Sequence, residues 1–144
     1  RESNRRKILN FGHTIGHAVE TLSAFRLAHG EAVSIGMVVE ARIAAHIGLL
    51  SHGAAGRIAR LCDRGGLPTC VPPAFTPSAI LDVARHDKKN RQGRIAYALP
   101  IRIGAMADEK GEYAVPVDDT VVLEVLQDLR RVRARPRTLL AAGM

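Results

Sequence analysis

The chain has 144 residues, 47% of them hydrophobic and 24% charged, which fits one domain with a real core and excludes a disordered tail. Lys and Arg total 21 against 14 Asp and Glu, so the net charge of +7 favours an anionic partner, either nucleic acid or a phosphorylated or carboxylated metabolite. Only 3% of residues are aromatic, which argues against a stacking platform for single-stranded nucleic acid, and two cysteines, Cys62 and Cys70, make no disulfide framework, so a reducing cytoplasm is expected.

Residues 1–7 are charged and lead into a first helix. Ile8, Leu9, Phe11, Ile15, Ala18, Val19 and Leu22 recur with a period near 3.6, which predicts a helix over 8–27, broken near Gly12. His29-Gly30-Glu31 is a short break. The segment 32–48 is apolar almost all round and predicts a central, buried helix ending at Gly48. It includes Glu40, Arg42 and His46, so it is no membrane span. Ser51 is placed to cap a third helix through Arg64, with Ala55, Ile58, Ala59 and Cys62 inward. A Pro-rich connection over 69–77 follows, and Thr76 or Ser78 opens a helix reaching His86 with Ile80, Leu81 and Ala84 on one side. Residues 87–93 read as a polar, basic loop. Residues 95–99 and 113–117 are strand-like and predict one small hairpin around Glu109-Lys110-Gly111. Asp118 or Asp119 caps a last helix over 120–133, and 134–144 is expected to be a flexible tail. The expected fold is mostly α, one multihelical domain over 1–144 with one small β-hairpin.

Three groups of residues carry chemistry. His13 and His17 stand at i and i+4, so a helix puts them on one face. Imidazole is a common ligand of divalent metals, and the spacing suits two ligands or a ligand and its neighbour. An ordinary pair of helix histidines, one buried and hydrogen-bonded, is the bland alternative. Gly12 and Gly16 remove bulk from this turn, as close approach of a substrate or another chain would require. His29 adds a third imidazole, and an antiparallel helix pair could return it to the side of His13. His46, His52 and His86 have no such company. Secondly, Arg6, Asn10, His13 and His17 stand at i, i+4, i+7 and i+11, a stripe that suits an anionic, polar ligand better than a core. Thirdly, Lys88 and Lys89 lie in a loop from which lysines can reach a phosphate or carboxylate, although spacing alone leaves them a solvated turn.

The run Leu9-Asn10-Phe11-Gly12-His13-Thr14-Ile15-Gly16-His17-Ala18-Val19-Glu20, then His29-Gly30-Glu31-Ala32-Val33-Ser34-Ile35-Gly36-Met37, then Gly66-Leu67-Pro68, then Asp87-Lys88-Lys89, resembles 3-dehydroquinate synthase. The resemblance covers the helical C-terminal domain of that fold. It implies a shikimate-pathway carbon–oxygen lyase of aromatic amino acid biosynthesis, acting in the cytoplasm. Such an enzyme converts 3-deoxy-D-arabino-heptulosonate 7-phosphate to 3-dehydroquinate and phosphate. It implies two cofactors: a divalent metal, zinc or cobalt, and NAD held mainly by an N-terminal domain that this sequence does not contain. His13 and His29 match the family's two histidine metal ligands, the third being a Glu of the other half. The i, i+4 pair is therefore not the metal pair. His17 matches an active-site histidine that assists proton transfer, and Glu2 an acidic residue of the active site. Arg6, Asn10 and one lysine of Lys88 and Lys89 match substrate-binding positions. Asn4 stands where the family usually has Gly.

The resemblance also implies partners: an anionic small-molecule substrate, the N-terminal domain, and a second copy in a homodimer. The fragment alone is expected to be inactive. Two alternatives belong beside this reading. One is another sugar-phosphate cyclase, such as an epi-valiolone-type synthase. The other is a basic nucleic-acid-binding helical domain, suggested by Arg130, Arg131, Arg133, Arg135 and Arg137 but backed by no recognition motif.

Overall fold

The second long helix organises the molecule because it has no polar face to turn outward. In the computed structural model, which describes residues 7–87, 93–108 and 113–130, this helix is α2, His29–His46. It is preceded by a 3-10 turn, Lys7–Asn10, and by α1, His13–Leu22. It is followed by α3, His52–Arg64, and α4, Pro77–Asp87. Four short strands come next: β1, Ile95–Tyr97; β2, Pro100–Arg102; β3, Ala105–Met106; β4, Val115–Val117. A fifth helix, α5, covers 119–130. Helix α2 packs against α1 and α3, and α1 also packs on α4. Ile35, Val39, Ile43 and Ala44 of α2 meet Ile15 and Val19 of α1, Ile80 and Leu81 of α4, and Leu126 of α5 in one core. Each large aliphatic residue buried this way contributes roughly 1.5–3 kcal/mol.

The helix termini follow the local chemistry. Ala54 N–H donates to Ser51 Oγ at 3.0 Å, so Ser51 caps α3 as expected. Thr76 rather than Ser78 caps α4, accepting from Ala79 N–H at 3.2 Å. Asp118 rather than Asp119 opens α5: its Oδ1 accepts from the Thr120 amide at 2.9 Å and the Thr120 hydroxyl at 2.7 Å. Asp119 instead binds Arg85 across to α4, Nη2 to Oδ2 at 2.6 Å. Past the end of α2, Gly48 takes φ of 84°, and its N–H bonds back to Ala45 O. Among the described residues no helix is long and apolar enough to cross a membrane.

The β region differs in one respect from the sequence expectation. The expected partners do pair, antiparallel, with Ile95 opposite Val117 and Tyr97 opposite Val115. They are not a simple hairpin, because a second antiparallel ribbon, β2 with β3, is inserted between them. Gly104, with φ of 91°, supplies the tight turn that makes this ribbon, and Pro100 stands at its first strand position, where proline is tolerated. The expected tail, 134–144, lies outside the described residues.

Candidate functional site

The site grows from the break between the 3-10 turn and α1. Gly12 has φ of 83°, so the chain leaves the first turn in a left-handed step and restarts as α1 at His13. A glycine has no side chain to cap the helix it precedes. The missing acceptor comes from elsewhere: Glu40 of α2, with no exposed surface, takes Gly12 N–H on Oε1 at 2.9 Å and Ile15 N–H on Oε2 at 3.0 Å. A buried carboxylate at a helix N-terminus is well placed for the helix dipole and for charge-assisted bonds.

Helix α1 then ends at Leu22, earlier than the expected 27. Ala24 and Phe25 adopt positive φ, 54° and 61°, and turn the chain back. The Ser23 hydroxyl donates to Glu20 O at 2.8 Å and accepts from Leu27 N–H at 3.3 Å, which stabilises the turn. Ala28 N–H donates to Glu31 Oε1 at 2.9 Å as α2 begins, so Glu31 does act as an N-terminal residue of that helix.

The reversal puts the first residue of α2 beside the first residue of α1. The His13 and His29 rings lie 5.5 Å apart, tilted by 57°. The close crossing that permits this is built from glycine. A Cβ on Gly36 would collide with the Gly12 carbonyl oxygen and lie 2.6 Å from Gly16 N, and one on Gly16 would lie 2.9 Å from Ala32 O. The space beside Gly12 and Gly16 is not left for a substrate or another chain, as the glycines alone suggest. It is filled by α2 itself.

Both imidazoles are held by the same nitrogen. His13 Nδ1 is 3.2 Å from Phe11 O, an oxygen that can only accept, and His29 Nδ1 is 3.2 Å from Glu20 Oε1. Nδ1 is thus the donor in each ring, which in the neutral imidazole leaves the Nε2 lone pair free for a ligand. This is the donor set a divalent cation takes from histidines, with the other ring nitrogen bonded to a carbonyl or carboxylate. The residues present fit a metal, as two ligands of a site. No group of three or more His, Cys, Asp or Glu that could hold one occurs among the described residues.

His17 follows His13 by one turn of α1 and is exposed. Asn10 is half-buried in the 3-10 turn. Because the left-handed Gly12 lies between them, Asn10 does not share a continuous helical stripe with His13 and His17, a correction to the i, i+4, i+7, i+11 expectation. Glu2, Arg6, Lys88 and Lys89 lie outside the described residues. The three remaining histidines are elsewhere: His46 faces Glu124 at 3.5 Å, His86 bonds to Asp82 O at 2.8 Å, and His52 is exposed at the start of α3. Sequence reasoning missed two residues. Glu40 stood only as a charge that rules out a membrane span, although a carboxylate in the middle of an otherwise apolar helix is itself a signal. Glu20 stood in the motif without a role.

Residues 1–90 match the family described as 3-dehydroquinate synthase C-terminal. A 3-dehydroquinate synthase of Pelotomaculum thermopropionicum is 44% identical over 76% of this chain and 30% of its own length. One of Synechococcus is 38% identical over 94% of this chain and 35% of its own length. The chain thus spans about a third of the curated relatives it matches. Among solved structures, 2-deoxy-scyllo-inosose synthase complexed with carbaglucose-6-phosphate, NAD+ and Co2+ superposes with a TM-score of 0.73 at 29% identity, over 83% of this chain and 32% of that one. The 2-epi-5-epi-valiolone synthase of Streptomyces hygroscopicus, with NAD+ and Zn2+ bound, superposes with a TM-score of 0.64 at 29% identity, over 85% of this chain and 32% of that one. On these matches and on its mostly helical fold, the chain belongs to the 3-dehydroquinate synthase family, within that family's C-terminal domain.

Proposed function

We propose that this chain is the metal- and substrate-binding part of a 3-dehydroquinate synthase, an enzyme that eliminates phosphate from 3-deoxy-D-arabino-heptulosonate 7-phosphate and closes the carbocycle. The observation that carries the reading is the pairing of His13 and His29, each with Nδ1 engaged and Nε2 without a partner among the described residues. These two would hold the metal, with the third ligand, a Glu, from an N-terminal domain that also binds NAD. When bound, the metal and NAD supply Lewis-acid polarisation of a ring hydroxyl and a reversible hydride acceptor.

The chain's own residues do the rest. His17, exposed one turn beyond His13, takes or returns a proton at its imidazole, and Glu2 is the acidic partner. Asn10 hydrogen-bonds substrate hydroxyls. Arg6 and one lysine of Lys88 and Lys89 bind its phosphate and carboxylate, in keeping with the net charge of +7. The reading places the protein in the cytoplasm as a homodimer. The second reading, another sugar-phosphate cyclase, rests on the two solved cyclases at 29% identity, and the synthases of higher identity favour the first.

The test is turnover by the full-length protein that carries this chain. Release of phosphate together with 3-dehydroquinate is expected, with activity removed by a chelator and by His13→Ala or His29→Ala. A different carbocycle from a different sugar phosphate would overturn the assignment in favour of the second reading.

A further inference from the structure

The ring nitrogen that faces a metal is decided by what the other ring nitrogen touches, and here two carboxylates stand behind that choice. Glu20 acts directly: its Oε1 is 3.2 Å from His29 Nδ1, and its side chain is only 15% exposed against 62% for His29, so the carboxylate is the fixed member of the pair. Glu40 acts through one peptide unit. Peptide 11–12 presents its carbonyl, Phe11 O, to His13 Nδ1, and its amide, Gly12 N–H, to Glu40 Oε1 at 2.9 Å. The second Glu40 oxygen takes Ile15 N–H at 3.0 Å, so the carboxylate is held at both ends and the peptide cannot rotate without breaking a buried, charge-assisted bond. The plane of that peptide fixes where Phe11 O points, and Phe11 O fixes the ring of His13.

We propose that Glu20 and Glu40 are positioning residues that hold His29 and His13 in the tautomer with the proton on Nδ1, leaving both Nε2 lone pairs to one divalent cation. Neither carboxylate is itself a ligand. The inference rests on the reading of His13 and His29 as metal ligands and names what sets them. It also explains why an acidic residue is tolerated in the fully buried middle of α2, where an uncompensated carboxylate would be costly.

Two measurements, one on the apo chain and one on the full-length protein that carries it, separate the inference from the reading beneath it. The first needs no metal: nitrogen-15 spectroscopy of the imidazoles in the apo chain at mildly alkaline pH reports which nitrogen carries the proton. His13 and His29 are expected with the proton on Nδ1, while exposed His52 serves as the unconstrained control. Glu20→Ala is expected to return His29 to the Nε2–H form that a free imidazole prefers, with His13 unchanged. Glu40→Gln is expected to disturb His13 and spare His29. The second measurement is Zn2+ affinity of the full-length protein by chelator competition, where Glu20→Ala should weaken binding by about 10- to 100-fold, the range found when outer partners of a metal-bound histidine are removed. Glu20→Gln, which keeps an acceptor oxygen, should recover the tautomer and most of the affinity. Wild-type His29 with its proton on Nε2, or a Glu20→Ala chain with unchanged tautomer or unchanged Zn2+ affinity, would overturn the proposal. A wild-type full-length protein that binds no Zn2+ overturns the metal reading and the metal-directed half of the proposal with it, while the apo spectra still decide whether the carboxylates set the rings. Should Glu40→Gln not fold, the Glu20 variants, altered at a polar side chain outside the apolar core, decide alone.

Discussion

Two buried oxygen-bearing side chains of this domain behave in opposite ways. Glu40 is buried with its carboxylate bonded to two amides at the start of α1. Replacing it with Ala strands Gly12 N–H and Ile15 N–H, and the expected loss is roughly 2–4 kcal/mol of unfolding free energy, read from urea denaturation. A loss below the error of that measurement would mean water or another group takes the amides over. Tyr97 is also fully buried, but its hydroxyl has no hydrogen-bond partner among the described residues. Burial pushes its phenol well above the ordinary value of 10.0, with Glu40 and Asp119 adding to the rise and Arg85 opposing it. The sign follows from which state holds the proton. Below about pH 10 both folded and unfolded chains keep it, and stability does not depend on this group. Above that pH the unfolded chain releases the proton and the folded chain keeps it, so stability falls as pH rises toward the folded value. Tyr97→Phe should therefore be near neutral or stabilising at pH 7 and should flatten the alkaline decline above pH 10, as followed by thermal melts across pH. A variant with the wild-type alkaline slope would show that this phenol is not what titrates.

At the scale of elements, the site depends on how closely α1 crosses α2, and glycine sets that distance. Gly36→Ala drives a methyl group into the Gly12 carbonyl and against Gly16 N, both backbone atoms that cannot swing away. Loss of about 1–3 kcal/mol or more is expected, together with weaker Zn2+ binding, because the helices must part and separate His13 from His29. Gly53→Ala is the control: a Cβ there meets nothing within 4 Å, and in the first turn of α3 alanine should stabilise by up to about 1 kcal/mol. Equal effects of the two substitutions would remove the crossing from the argument. The same elements show what sequence can and cannot reveal. Periodicity predicts the buried helix over 32–48 and the capping residue Ser51, because both are local, an apolar run and a hydroxyl ahead of a helix; the helix in fact spans His29–His46, so His29-Gly30-Glu31 is its first turn and not a break. The left-handed break at Gly12 was legible because glycine there interrupts a helical pattern. The meeting of His29 with His13 was legible only as one option of an antiparallel pair. Glu40 reaching Gly12 across 28 residues was not legible, since nothing local to either segment announces the bond. Nor was the β2–β3 ribbon, whose strands are three and two residues long, too short for alternation to register.

For the molecule as a whole, the count of ligands matters more than their identity. The net charge of +7 gives any basic protein some attraction for polyanions, and random DNA should bind weakly and be lost at about 0.2 M salt, since phosphate contacts are replaced by counterions and no base-reading motif is present. Retention at that salt, measured by fluorescence anisotropy, would revive the nucleic-acid reading. The metal site makes the sharper demand. Zinc in protein sites is held by three or four protein groups, and among the described residues His13 and His29 have no third partner of the right kind. Two preset imidazoles should still bind a cation, because the fold orders their rings before the metal arrives, yet the affinity should fall well short of a complete site. The chain alone is therefore expected to bind Zn2+ weakly, to lose it to a mild chelator, and to turn over no heptulosonate phosphate. The full-length protein that carries it should bind Zn2+ at least about 100-fold more tightly, since a carboxylate ligand adds both a bond and the charge that two neutral imidazoles lack. Equal affinity in the two would mean that the third ligand already lies within these 144 residues, and synthase activity in the chain alone would mean the same of the hydride acceptor's site.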